Sequence, residues 1–192
     1  MLMWNRLVPR SISWRCVPEE IHPNCAFVMK TLLILRHAKS SWKHPGLADH
    51  IRPLNKRGQA SASRMGQLLY EEDLVPDVIL CSPALRAVDT ANLVAEACGF
   101  DGEMIRSNDF YPGWPDDYLD LLRNLTDAIE IAMVVGHNPG LEALLELLTD
   151  ESEHLPTAAI ALVRLPVNRW SELKEETEGD LQAIWRPRSL PD

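Results

Sequence analysis

The sequence predicts an α/β protein, a three-layer α/β/α sandwich around a mostly parallel central sheet. Three observations carry this. From Met29 onward short apolar runs alternate with stretches of helical period, the pattern of strand–helix–strand units. The three strongest runs, Thr31–Leu35, Val78–Leu80 and Ile131–Val135, are short and unbroken, as buried strands are. Each delivers an Arg or a His just past its end, in Arg36-His37, Ser82-Pro83-Ala84-Leu85-Arg86 and Gly136-His137. In open α/β sheets the carboxyl ends of the strands are where ligands bind.

The elements follow in order. Residues 31–35 read as the first strand and 40–53 as a loop, with Pro45-Gly46 as a turn signal. Asn55 reads as the N-cap of a helix through about Glu72, whose apolar stripe is Met65, Leu68 and Leu69. Pro76 interrupts the chain, and residues 77–81 form the second strand. Pro83 suits the first turn of the next helix, where its missing N–H is not needed. That helix runs to about Cys98 and stops at Gly99. A weak strand covers 103–106, and 110–116 is an aromatic loop rich in Pro and Gly. A helix over about 116–125 precedes the strand at 131–135. Pro139 opens a helix through Leu148. Two last strands, 158–165 and 180–185, are joined by a short polar stretch that suits antiparallel pairing.

The chain has 192 residues, 46% of them hydrophobic, enough for one well-packed domain over 29–192. Residues 1–28 show no helical or strand period. They are expected to be a disordered extension or to precede a true start at Met29. They lack the continuous apolar core of a secretory signal. The net charge of −9 argues against nucleic-acid partners and anionic membrane surfaces. It also makes the local cluster of Arg36, Arg52, Lys56, Arg57 and Arg86 more conspicuous. No apolar stretch approaches the roughly 20 residues that span a bilayer. Cys16, Cys25, Cys81 and Cys98 have no C-x-x-C spacing. That favours free thiols in a reducing compartment and hence the cytoplasm.

Two imidazoles and two guanidinia converging at strand ends suit a phosphoryl group. A neutral histidine can attack phosphorus and form a phosphoenzyme that water later hydrolyses. Its other ring nitrogen must be held by an acceptor so that the attacking one keeps its lone pair. His37, at the end of a strand, is placed for this role. Arg36 and Arg86 offer planar forks for phosphoryl oxygens. His137 would donate a hydrogen bond to the same oxygens, and Asn138-Pro139 begins a helix whose N-terminus favours an anion.

Leu35-Arg36-His37-Ala38-Lys39-Ser40, Arg52-Pro53-Leu54, Ser82-Pro83-Ala84-Leu85-Arg86-Ala87 and Gly136-His137-Asn138-Pro139 together resemble the histidine phosphatase superfamily, whose fold is that of phosphoglycerate mutase. The chain is most similar to its small SixA-type phosphohistidine phosphatases, from Met29 to about Leu190. The resemblance implies His37 as the phosphorylated nucleophile. Arg36, Arg86 and His137 complete the phosphate pocket, with Arg52 and Asn138 as further substrate contacts. For Arg52 an ion pair holding its loop is an equal alternative. The familiar Gly after the first histidine is Ala38 here.

Larger members carry an acid on an insertion to protonate an alcohol leaving group, and no such insertion is evident. Asp49, Asp109, Asp116 and Asp117 are the weak candidates, the last two better read as helix caps. Without an acid the site suits phosphohistidine, whose imidazole leaves more readily than an alkoxide. The expected function is therefore a metal-independent phosphatase of phosphorylated proteins, a histidine-containing phosphotransfer domain among them. A small phosphorylated metabolite stays open as substrate. So do a small-molecule phosphomonoesterase of the same superfamily and a weakly active phosphate-binding regulator. Cys81 and Arg86 have four residues between them, one short of the cysteine-phosphatase loop. The six histidines show no zinc-ligand spacing, and the chemistry calls for no cofactor. His44, His50 and His154 read as loop residues.

Overall fold

The computed structural model describes residues 29–43 and 46–190. The expectations for residues 1–28, for Pro45 in its turn, and for His44, Cys16 and Cys25 lie outside the described residues.

Leu32–Leu35 can form a strand of purely apolar side chains because both faces are covered. In β1 (Lys30–Arg36) every residue through Leu35 is buried. Lys30 is buried too, its Nζ donating to the carbonyls of Asp127 and Ile129 at 2.8 Å each. The chain continues through a 3-10 turn (Asp49–Ile51), α1 (Lys56–Glu71), β2 (Val78–Cys81), α2 (Leu85–Cys98) and β3 (Glu103–Arg106). Then come α3 (Pro115–Arg123), β4 (Ile131–Gly136), α4 (Gly140–Thr149), β5 (Ile160–Leu165) and β6 (Asp180–Trp185). The sheet order is β3-β2-β4-β1-β5-β6. β3, β2, β4 and β1 run parallel, and β5 pairs antiparallel with both β1 and β6.

Alternate residues of the strands feed two cores. Leu33, Leu35, Ile79, Met133 and Val135 pack with α1 and α2 on one face. Leu32, Ile34, Leu80, Val134, α3, α4 and the buried Trp170 fill the other. β1 and β4 are neighbours, yet the helices that follow them lie on opposite faces. The chain therefore parts beyond their carboxyl ends and leaves a crevice there.

Most local expectations hold. Asn55 Oδ1 accepts from Gly58 N at 2.8 Å and caps α1. Gly99 takes the left-handed conformation (φ 72°) that closes α2. The departures are local. Pro83 precedes the N-cap Ala84 rather than lying in the first turn of α2. Part of the 110–116 loop is helical, since α3 begins at Pro115. β5 starts at Ile160, because Ala158 holds a positive φ of 63° that interrupts an extended chain. No helix of the described residues is long and apolar enough to cross a membrane.

Candidate active site

The site is built by three adjacent strands. The ladder runs one residue past each: His37 N donates to Gly136 O (3.1 Å) and Ser82 N to Val135 O (2.9 Å). This fixes the backbones of His37, Ser82 and His137 side by side. The imidazoles of His37 and His137 lie 5.0 Å apart between centroids. Arg86, in the first turn of α2 and 8% exposed, points between them. Its Nε lies 3.3 Å from His37 Nε2, and its Nη2 lies 3.3 Å from His137 Nδ1.

Guanidinium can only donate, so both of those ring nitrogens are acceptors. On His37 the proton is therefore on Nδ1, which donates to the Ala38 carbonyl at 2.8 Å. That leaves a lone pair on Nε2, facing the pocket. On His137 the proton is on Nε2, which donates to Ser82 Oγ at 2.8 Å. Ser82 Oγ also accepts from Ala84 N. Burial, and then the Arg86 and Arg36 charges, lower the His37 pKa to about 4 against the backbone acceptor's opposite pull. Burial, His37 and Arg86 lower that of His137 to about 3. Both rings are neutral at neutral pH.

Arg36 and Asn138 meet at one atom. Arg36 Nη1 and Asn138 Nδ2 both donate to Leu155 O, at 2.7 and 3.0 Å. Arg36 Nε and Asn138 Oδ1 are buried without a partner. Burial lowers the Arg36 pKa from its ordinary value, partly offset by Glu142. The loop after β1 brings Arg52 and Asp49. Arg52 stacks on the exposed Trp42 at 3.8 Å, and its Nε is 3.8 Å from Asp49 Oδ1. Its Nε and Nη1 are buried without hydrogen-bond partners.

Three residues of the cluster had no role in the sequence reading. Ser82 lay in a quoted motif. Thr90, one turn beyond Arg86, is fully buried; its Oγ1 accepts from Ala38 N (2.9 Å) and donates to Arg86 O (2.6 Å). Tyr111 arrives from the aromatic loop. Its hydroxyl donates to Asp49 Oδ2 at 2.7 Å, and its ring stands edge-on to His137 at 5.4 Å.

Asp49 itself is drawn into the cluster. Its carboxylate lies 3.0 Å from Arg86 Nη2, and its backbone carbonyl accepts from Arg86 Nη1. The Tyr111 hydrogen bond, and then Arg86 and Arg52, outweigh desolvation and lower its pKa. It is ionised near neutral pH. Of the other acid candidates, Asp117 caps α3 by accepting from Trp114 N, Asp116 lies beside it in the first turn of α3, and Asp109 accepts from the Ser107 hydroxyl. Cys81 is buried and its thiol pushed up to about 12 by desolvation, which makes it inert. Among the described residues no group of three His, Cys, Asp or Glu could hold a metal ion.

Gly136 is dictated by packing. A Cβ there would come 2.1 Å from the hydroxyl of Tyr118, a fully buried α3 residue. Tyr118 therefore props the strand end that carries His137.

A sequence model of the histidine phosphatase superfamily (branch 1) matches residues 32–110, which include Arg36, His37 and Arg86. An uncharacterised chloroplastic protein of Arabidopsis thaliana is 33% identical over 156 residues, 76% of this chain and 71% of that protein. Among solved structures, a SixA protein of Agrobacterium tumefaciens, provisionally assigned as a phosphohistidine phosphatase, is 28% identical. It superposes with a TM-score of 0.71, covering 82% of this chain and 98% of its own. The protein histidine phosphatase SixA complexed with tungstate shares the fold, with a TM-score of 0.72 at 23% identity over 84% of this chain and 99% of its own.

Proposed function

Because this chain belongs to the histidine phosphatase superfamily, in its SixA-type branch, we propose that it hydrolyses phosphohistidine on proteins, without a metal ion, through a phosphoenzyme on His37. The observation that carries the reading is the fixed tautomer of His37. Its Nδ1–H is held by the Ala38 carbonyl and its Nε2 lone pair faces Arg86.

His37 Nε2 attacks phosphorus, an N–P bond forms, and the P–N bond to the substrate imidazole breaks. The imidazole leaves neutral after its other nitrogen takes a proton from solvent. Water then attacks phosphorus, releases inorganic phosphate and restores His37. Arg36 and Arg86 neutralise the non-bridging oxygens, joined at the rim by Arg52. Arg36 Nε and Arg52 Nε and Nη1 are buried donors without a hydrogen-bond partner and suit such oxygens, whereas Asn138 can contribute only through Nδ2, which donates to Leu155 O. The tungstate held by the SixA structure is an oxyanion of the kind such a cluster attracts. His137 Nδ1 has no proton to give while neutral. The incoming phosphoryl charge raises its pKa, and the ring takes up a proton and donates it in a hydrogen bond to an oxygen.

The substrate class follows from Asp49. A carboxylate held ionised by Tyr111 and Arg86 cannot protonate an alkoxide, so esters of alcohols lack the acid they need. Phosphohistidine needs none. A histidine-containing phosphotransfer domain is a substrate of this chemistry.

The test compares a phosphohistidine peptide with a phosphoserine peptide in EDTA, using wild type and His37→Ala. Phosphate released from phosphohistidine alone, and by wild type alone, is the expected result. Fast hydrolysis of phosphoserine would make the protein a general phosphomonoesterase. Tight phosphate binding without turnover of either would make it a phosphate-binding regulator.

A further inference from the structure

A second cationic cluster is lined in part by the segment that follows His37. The chain as a whole carries −9, yet Lys39, Arg57, Arg186 and Arg188 line one cavity of about 350 Å³ together with the hydroxyl residues Ser61 and Thr157. The four cations come from three separate segments: the loop after β1, the first turn of α1, and the turn at 186–189. Arg186 pairs with Glu153 at 2.7 Å. Lys39, Arg57 and Arg188 make no ion pair or side-chain hydrogen bond among the described residues. Like charges gathered around one cavity repel each other, and the fold holds them there nonetheless. Asn55 N donates to Lys39 O at 2.9 Å, and Ser189 N donates to Arg186 O at 2.9 Å, so the walls are pinned by backbone bonds.

The cavity is coupled to the catalytic strand. Lys39 lies two residues past His37. Thr157 lies between Leu155, whose carbonyl holds Arg36 and Asn138, and Ala158, whose N–H bonds Arg36 O (3.1 Å) and His37 O (3.2 Å). The cavity wall and the phosphoryl pocket thus share the segment after β1 and the backbone bonds that hold it. Several separated cations around one cavity suit several separated carboxylates better than one compact charge, and guanidinium forks match carboxylates in pairs.

We propose that this cavity binds the acidic side chains of a substrate protein segment next to its phosphohistidine, so that the enzyme selects phosphohistidines in acidic surroundings. The proposal rests on the phosphohistidine reading above and extends it to the sequence around the target.

Two phosphohistidine peptides test it, one with Asp and Glu flanking the target and one with Asn and Gln in their places, beside phosphoramidate as a small substrate without flanks. Wild type is expected to favour the acidic peptide by about tenfold in kcat/KM, through KM, as two added ion pairs would give. R57S/R188S is expected to lose that preference while its kcat/KM on phosphoramidate stays at the wild-type value. Equal treatment of the two peptides by wild type, or a preference retained in R57S/R188S, would overturn the proposal. Binding of the unphosphorylated acidic peptide, measured directly, separates the two readings. If no phosphohistidine is hydrolysed but this peptide binds wild type and not R57S/R188S, the cavity assignment stands and the activity assignment falls. Inorganic pyrophosphate binding that depends on Arg57 and Arg188, with no binding of the acidic peptide, would reassign the cavity to a second phosphate and overturn the proposal.

Discussion

At the scale of single residues, the hydroxyl of Ser82 decides which nitrogen of His137 faces the phosphoryl pocket. It accepts a hydrogen bond from Nε2–H and so leaves the Nδ1 lone pair toward Arg86. In Ser82→Ala that preference is lost. A hydrogen bond of about 1.4 kcal/mol corresponds to a roughly tenfold fall in kcat on phosphohistidine, and Ser82→Thr should recover most of it. An unchanged kcat in the alanine variant would remove Ser82 from the account. Asp49 acts in the opposite sense. Its carboxylate occupies the Arg86 Nη2 that a phosphoryl oxygen would use. Asp49 is half-exposed, so the competition is modest. Asp49→Asn should bind tungstate up to about fivefold more tightly by equilibrium titration, and weaker binding would contradict this role. The sequence made Arg36, His37, Arg86 and His137 legible because each follows an apolar run or opens a helix after one. Tyr111 was not, because its loop has no period and its contact with Asp49 spans 62 positions. Asp49 was visible only as a weak acid candidate, since its ionisation depends on that same contact.

At the scale of elements, β4 carries His137 at a fixed height because α3 leaves no room beside Gly136. Gly136→Ala would push a methyl into the Tyr118 hydroxyl. Overpacking of this kind costs about 1–3 kcal/mol, to be read as a lowered urea midpoint together with reduced activity. Tyr118→Phe should relieve part of the clash, so the double variant is expected to be more stable than Gly136→Ala alone. Simple additivity of the two effects would mean that the contact is not what limits the site. The strands that carry the site were the easiest to read. They are covered on both faces, and β1, β2 and β4 need no polar alternation. β3 was the weak signal because it is an edge of the sheet, where Glu103 and Arg106 meet solvent. The start of α3 at Pro115 was hidden in an aromatic loop whose composition reads as irregular.

At the scale of the molecule, two neutral buried imidazoles tie stability to pH. The folded pKa values of about 4 and about 3 lie below the ordinary 6.5. Above pH 6.5 neither state is protonated and there is no effect. Between 6.5 and 4 the unfolded chain binds protons that the folded protein refuses, so stability falls as pH falls. The loss is at most about 1.4 kcal/mol per pH unit for each histidine. Urea midpoints should drop from pH 7 to pH 4.5, and His37→Asn should flatten that dependence. A midpoint independent of pH over this window would show that the rings are not buried as neutral groups. The overall architecture was legible because the order of runs and helices dictates a parallel sheet. The partition of α1 and α2 from α3 and α4, which opens the crevice between β1 and β4, is a long-range consequence of packing that no local pattern encodes.

The central claim is that His37 Nε2 itself takes the phosphoryl group, and a rapid-quench experiment tests it most directly. The full-length protein is mixed with a ³²P-labelled phosphohistidine peptide, quenched in alkali within milliseconds and mapped by proteolysis and mass spectrometry. The account predicts label on the peptide containing His37, in an Nε2–P linkage, decaying as phosphate appears and absent from His37→Asn. Phosphate released with no labelled enzyme at any time, or label carried by His137, would contradict it.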